Sequence, residues 1–356
     1  MNRKVRHVLI LLLGMHSAMS FAQSDSIKKF TFSGYGELYY GYDFSQPRHH
    51  EKADFMYNHK LHNTLNVNLA MVSAKYAAKK WRGNLSLMAG NYAQYNLVTE
   101  PIWAQYVYEA NLGIKLSNKH NLWLDGGIMP SHIGFESAVS ADCWTLTRSI
   151  LAENSPYYET GVKLSFSNKS EQLNLGFVVL NGWQRIRTST SYRQPSFGVQ
   201  LNYKPREDLS FNYSNFIGTA KADSLRSFRT FHNLYMQYQV HKKLGAIVGF
   251  DFGTDKYKET NYGIWYSPVA IIRYALTERT NVALRGEYYH DKNQIVIASN
   301  TVNGFQVSGF STNFDYKIMD KFIFRIEGKL YRSRDKIFAN DSQGNFSLTS
   351  NLTIKI

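Results

Sequence analysis

From Phe30 to Ile356 the chain alternates apolar and polar residues, in stretches separated in turn by a small charged turn and a longer polar loop. The C-terminal end shows the register: Phe346, Leu348, Leu352, Ile354 and Ile356 fall on one side, and Ser347, Thr349, Asn351, Thr353 and Lys355 on the other. A period of two gives a strand one apolar and one polar face. Repeated down a whole chain without a long helix, it predicts an all-β fold: a transmembrane antiparallel up-and-down β-barrel, apolar face to lipid and polar face to a watery lumen.

The first residues predict where the chain goes. Arg3, Lys4 and Arg6 make a basic start, Val8 to Leu13 an apolar stretch, and Ser20-Phe21-Ala22 a small-residue cleavage site, together a secretory signal peptide over 1–22. A short lead over 23–29 and one barrel over 30–356 complete the expected organisation. No other run approaches the ~20 apolar residues of a helical span. Export without such an anchor, and without a Cys beside the cleavage site, leaves the bacterial outer membrane as the expected location. Composition agrees, since aromatics reach 15% with 25 Tyr and 22 Phe, as the interfacial girdles of such a barrel require. With 7 Pro and no linker-like stretch, one continuous closed sheet is the simpler reading. The single Cys143 excludes an intramolecular disulfide.

The chain divides into about sixteen strands. In the first, Phe32, Leu38, Tyr40 and Tyr42 oppose Thr31, Ser33, Tyr35, Glu37 and Asp43. In the second, Leu65, Val67, Leu69 and Met71 oppose Thr64, Asn66, Asn68 and Ala70, and in the fourth Tyr108, Leu112, Ile114 and Leu116 oppose Glu109, Asn111 and Lys115. Short turns recur at Lys79-Lys80, Asn118-Lys119-His120, Lys169-Ser170-Glu171, Pro205 to Asp208, His241-Lys242-Lys243, Thr277 to Thr280 and Met319-Asp320-Lys321. Tight turns on one rim and long loops on the other, with both termini on the short-turn side, demand an even strand count and put the turns in the periplasm and the loops outside.

On this register the lumen is lined by Lys163, Arg273, Arg285, Glu287, Arg325, Glu327 and Lys329, mixed with Asn212, Asn233, Gln237 and Gln239. Such a face either braces the wall, Arg285 with Glu287 and Arg325 with Glu327, or sets a field that selects permeant ions. The segment 130–156 departs from the pattern. It is long and carries Ile133, Phe135, Val139, Trp144, Leu146, Ile150 and Leu151 among Glu136, Asp142, Arg148 and Glu153. An exposed loop has little reason to hold so many apolar groups. Folded into the lumen, it would place Glu136, Asp142, Arg148 and Glu153 at a pore constriction. The alternatives are a loop packed on the outer rim, or a helix from Cys143 to Glu153 acting as a lid.

Several stretches carry a resemblance: Gly34-Tyr35-Gly36-Glu37-Leu38-Tyr39-Tyr40, Asn58-His59-Lys60-Leu61-His62-Asn63, Met129-Pro130-Ser131-His132-Ile133-Gly134-Phe135-Glu136, Trp144-Thr145-Leu146-Thr147-Arg148-Ser149 and Glu153-Asn154-Ser155-Pro156-Tyr157-Tyr158. In these, and over essentially the whole mature chain, the sequence resembles the β-barrel outer-membrane porin family of Gram-negative bacteria. The resemblance implies the same fold and location.

Cleavage would remove Arg3, Lys4 and Arg6 and no acid, leaving 38 basic residues against 27 acids, a net +11. Placed in the lumen this excess favours anions, an argument that several Lys in the short turns weaken; placed at a rim it suits the phosphates of lipopolysaccharide. His49, His50, Glu51, Asp54, His59 and His62 crowd one outer loop, but without metal-ligand spacing they read as solvated residues, and no cofactor is expected. There is no Gly-x-Ser-x-Gly and no spacing that isolates a catalytic triad, so no enzyme is expected. The basic residues are scattered along an exported chain, which argues against nucleic acid. Two functions follow: a passive diffusion pore for small hydrophilic solutes or ions, possessing an anion preference if the excess charge faces the lumen, or a closed barrel whose outer loops serve adhesion, structure or catalysis. Expected partners are outer-membrane lipid, lipopolysaccharide and the solutes, with monomer and homo-oligomer both open.

Overall fold

The computed structural model describes residues 29–188, 191, 193–225, 227–256 and 261–356. The expected signal peptide over 1–22 and all but the last residue of the lead lie outside the described residues. The first eight strands are β1 (Lys29–Asp43), β2 (Thr64–Ala77), β3 (Trp81–Ala89), β4 (Val107–Lys115), β5 (Asn121–Pro130), β6 (Tyr158–Ser167), β7 (Leu173–Leu180) and β8 (Ser196–Arg206). The remainder are β9 (Leu209–Gly218), β10 (Arg229–His241), β11 (Leu244–Lys256), β12 (Tyr262–Ala275), β13 (Thr280–Asp291), β14 (Phe305–Met319), β15 (Phe322–Ser333) and β16 (Gly344–Lys355). Each pairs antiparallel with its sequence neighbours, and β1 pairs with β16, closing the sheet. A closed sheet is the arrangement of strands that leaves no unpaired edge in hydrocarbon.

The sixteen strands alternate short turns and long loops as the sequence implies. Outward positions are apolar and exposed, among them Leu112, Ile114, Val162, Phe310, Phe346 and Ile354, while Ser347, Thr349, Asn351 and Thr353 point into the lumen and are buried there. The strands differ in length around the wall: β3 to β7 have 8 to 10 residues, whereas β10 to β15 have 12 to 15.

Two bulges overturn part of the expected facing. Glu37 pairs with Leu69 and Leu38 with Val67, so Asn68 is an extra residue in β2. Leu65 and Val67 face lipid as expected, but beyond the bulge Leu69 is fully buried, and Met71 packs against the same interior cluster. Ser86 pairs with Glu109 and Leu87 with Val107, which leaves Tyr108 as the extra residue of β4 and turns it inward onto Tyr92 at 6.3 Å. A residue inserted in one strand breaks the period of two locally, and counting alternation cannot detect it.

Loops occupy much of the interior. Segment 131–157, between β5 and β6, crosses the lumen, and segment 44–63, between β1 and β2, folds in beside it. Segment 90–106 contributes a short helix, α1 (Asn91–Asn96), whose Tyr92 and Ala93 bury against Leu69, Ile128 and Val139. A second cluster joins Phe55 and Met56 with Ile133, Ile150, Trp265, Phe305 and Tyr331.

Candidate functional site

Segment 131–157 is anchored where it leaves β5. His132 Nε2 lies 2.8 Å from the Asn215 carbonyl and Nδ1 lies 2.6 Å from Glu159, so both ring nitrogens face acceptors. Ser214 Oγ and Gln200 Nε2 both donate to the His132 carbonyl at 2.8 Å. The chain then passes β11, where two glycines make room for its aromatics. A Cβ at Gly249 would come within 2.7 Å of Phe135, and one at Gly245 within 2.5 Å of Trp144. Beyond this the loop is mostly irregular. Its only α-helical turn is α2 (Ile150–Glu153), N-capped by the Ser149 side chain, in place of the helix considered from Cys143 onward.

The far side of the lumen holds the loop through its backbone. Asn313 Oδ1 accepts from Leu146 N at 3.0 Å, Glu327 Oε2 from Thr147 N at 2.6 Å and Glu287 Oε2 from Ile150 N at 2.6 Å, while Lys329 Nζ donates to the Arg148 carbonyl at 2.7 Å. Arg285 is the hub: its guanidinium donates to Thr145 Oγ1 at 2.8 Å, to the Thr147 carbonyl at 2.7 Å and to Glu327 Oε1 at 2.7 Å. Glu287 at 3.3 Å and Glu136 at 3.6 Å complete its surroundings. Arg325 pairs with Asp315 at 2.7 Å, not with Glu327, and donates to the carbonyls of Ser140 and Cys143. Orphan backbone groups of an irregular segment must be satisfied when buried, and the strand side chains supply the partners here.

The four loop residues singled out from the sequence separate. Arg148 is buried and donates to the Ser137, Leu146 and Ala138 carbonyls at 2.5 to 2.8 Å, bracing the loop against itself. Glu136 accepts from Ser149 N at 3.1 Å and from its hydroxyl, and burial pushes its pKa up. Glu153 accepts from Tyr57 N at 2.9 Å and Asn58 N at 3.2 Å, joining the two inserted loops, and burial raises it too. Asp142 alone is exposed, paired with Lys355 at the short-turn end of the barrel. Of the strand residues, Arg285, Glu287, Arg325, Glu327 and Lys329 converge on the loop and are buried. Lys163 and Arg273 stand apart and remain partly exposed, Lys163 Nζ 3.4 Å from Gln200 Oε1 and Arg273 3.7 Å from Asp315. A cavity of about 300 Å³ lies below the loop, lined by Asp142, Trp144, Arg273, Asp315, Lys317 and Arg325 among others.

Segment 44–63 is the part of the site that sequence reasoning read as solvated. His59 is fully buried with Nε2 2.7 Å from Glu37, and burial pushes its pKa down. His62 is buried as well and accepts from Asp43 N at 2.8 Å. Lys52 donates to Thr349 Oγ1 at 2.9 Å, and burial, then the neighbouring Lys329, lowers its pKa to about 8. Phe55 packs on Phe305 at 4.8 Å between ring centroids. The adjacent Phe55-Met56 pair, apolar in a polar stretch, was the available signal. Among the described residues no three His, Cys, Asp or Glu side chains form a metal-sized cluster. Cys143 is buried, its thiol directed at the Ser137 carbonyl at 3.4 Å.

A family model described as "Putative beta-barrel porin-2, OmpL-like" matches residues 29–355. No curated protein matches the chain. Among solved structures, an anion-selective porin from Comamonas acidovorans superposes with a TM-score of 0.64 at 8% identity, covering 92% of this chain and 100% of that one. The outer-membrane channel DcaP of Acinetobacter baumannii gives 0.60 at 10% identity, over 94% and 100%. OmpT of Vibrio cholerae, in a trimer form, gives 0.58 at 10% identity, over 92% and 99%. At these identities the likeness is one of fold. Family and fold together point to a channel rather than an enzyme, and the chain belongs to the beta-barrel porin-2, OmpL-like family of outer-membrane porins.

Proposed function

We propose that this porin passes small hydrophilic solutes without coupling to energy, with anions favoured, along the part of the lumen wall left free beside segment 131–157. The observation that carries this reading is the division of the inward charges. Arg285, Glu287, Arg325, Glu327 and Lys329 are used up in holding the loop, whereas Lys163 remains partly exposed with a glutamine as its hydrogen-bond partner. A cation without a carboxylate in a wet passage attracts anions. The loop narrows the lumen, and its Asp142 lines a cavity together with Arg273, Asp315 and Arg325.

The test is a salt gradient across a planar bilayer containing the refolded mature protein. A reversal potential of the sign set by anion flow supports the reading, and a cation-selective potential overturns it. A second reading, a barrel plugged at rest, draws on the buried aromatics Phe55, Trp265, Phe305 and Tyr331 packed in the loop-side half of the lumen. It predicts no current in the same experiment.

The short-stranded side of the wall is where we place self-association. Beside strands β3 and β4, segment 90–106 exposes Val98, Ile102, Trp103 and Tyr106. Chemical crosslinking in native membranes should give a discrete oligomer that Trp103→Glu disperses; an unchanged ladder in that variant would place the contact elsewhere.

A further inference from the structure

Six exposed lysines of this chain stand in the short turns of one rim. Lys79 and Lys80 form the β2–β3 turn, Lys119 lies in the β4–β5 turn, Lys169 in the β6–β7 turn, and Lys242 and Lys243 form the β10–β11 turn; all six are exposed. Among the described residues none of these six side chains has a carboxylate at ion-pair distance, in contrast to Arg206 with Asp208 at 3.0 Å and Lys317 with Asp320 at 2.8 Å on the same rim. Lys79–Lys80 and Lys242–Lys243 stand on opposite sides of the ring, because eight strands separate them in either direction around the closed sheet.

Directly above these turns, on the lipid side, runs an aromatic belt. Trp81, Tyr203, Tyr274 and Tyr316 are exposed at the turn-proximal ends of their strands, and Trp81 packs on Tyr76 at 4.2 Å, which in turn packs on Phe30 at 4.6 Å. Such a belt marks the level where hydrocarbon meets headgroups. The turns are too short to carry their lysines far from that level, so the ammonium groups stay within the headgroup layer. At this distance an anionic lipid is attracted by each Lys.

We infer that the periplasmic rim is a binding surface for anionic glycerophospholipids of the inner leaflet, whose phosphodiester headgroups sit among Lys79, Lys80, Lys119, Lys169, Lys242 and Lys243. The recognising chemistry is phosphate with ammonium. The aromatic belt, which a soluble phosphate cannot use, selects the lipid as its source.

The test reads tryptophan quenching in the full mature chain, refolded into phosphatidylcholine vesicles that contain either brominated phosphatidylglycerol or brominated phosphatidylcholine at equal mole fraction. Trp81 neighbours Lys79 and Lys80, so the rim signal is the part of the quenching that Trp81→Phe removes, which sets aside the chain's five other tryptophans. The anionic lipid should associate about threefold to fivefold more strongly than the zwitterionic one. In about 1 M salt, where the Debye length is ~3 Å, the preference should vanish. It should also vanish in the variant combining Lys79→Gln, Lys80→Gln, Lys242→Gln and Lys243→Gln, and persist with free inorganic phosphate at constant ionic strength. Equal quenching by the two lipids in the unaltered protein overturns the inference, as does a preference that survives both salt and the substitutions. Loss to free phosphate overturns it in favour of a small-anion site. Should the fourfold variant fail to fold, the salt series on the unaltered protein decides.

Discussion

Arg285 and Glu327 lie 2.7 Å apart, both shut off from solvent, and the same two side chains clasp Thr147 of the inserted loop, Arg285 through its carbonyl and Glu327 through its N–H. A strand-to-strand ion pair is thus also a loop anchor. Buried pairs alone do little better than break even against their desolvation. This one gains because the loop adds further partners, the Thr147 N–H and carbonyl and the Thr145 and Thr147 hydroxyls, and the Thr147 backbone groups would otherwise be orphaned.

Replacing Arg285 with Met should leave Glu287 and Glu327 buried without their cation and cost about 3–5 kcal/mol. Cys143, the chain's single and buried thiol, reports the result without an engineered label. Each ~1.4 kcal/mol taken from loop opening raises maleimide labelling about tenfold. Labelling as slow as in the unaltered protein would show that Arg285 does not hold the loop.

Gly249→Val tests the seat of Phe135. The added side chain would enter the 2.7 Å gap to that ring, and overpacking of this kind costs about 1–3 kcal/mol. Thermal unfolding followed by the shift in electrophoretic mobility should move to lower temperature, and an unchanged midpoint would mean that the ring is not seated on β11.

Much of the architecture was legible in the sequence because the membrane enforces it. Strand number, the alternation of turns and loops, and the lipid-facing residues at the chain's end all follow from period two and turn chemistry. What was not legible arises where that period breaks or where partners are distant in sequence. Asn68 and Tyr108 each add one residue to a strand and redirect their neighbours. Arg285 and Glu136 meet across the lumen at 3.6 Å, a relationship no local pattern encodes. His59 looked like a solvated loop residue because its buried partner Glu37 lies on another element.

Proton linkage gives two separate windows. Glu153 has its pKa raised by burial, so the folded state binds a proton that the unfolded chain has released, and stability falls as pH climbs from the ordinary carboxylate range through the folded value. Glu153→Gln should match the unaltered protein below pH ~4.3 and gain on it as pH rises. Lys52, lowered to about 8, works the other way: its burial penalty is complete below that value and is relieved as pH rises towards the usual lysine range. Lys52→Met should therefore be the more stable protein at pH 7 and lose its advantage in alkali. Urea unfolding across pH reads both differences, and a gap that stays constant with pH contradicts the assignment.

Lys163→Glu places an acid where the passage now offers a partly exposed cation beside Gln200. The reversal potential in a salt gradient should shift toward cations, at unchanged secondary structure by circular dichroism. A potential identical to that of the unaltered protein would remove Lys163 from the conduction path.

The central claim, that segment 131–157 sets the bore of a passive channel, is tested most directly by single-channel conductance in planar bilayers, comparing the unaltered protein with a variant in which 136–152 is replaced by a short Gly-Ser bridge. The account predicts stepwise current in both, with larger steps in the shortened variant. Steps of equal size in the two proteins, or no steps in either, would contradict it.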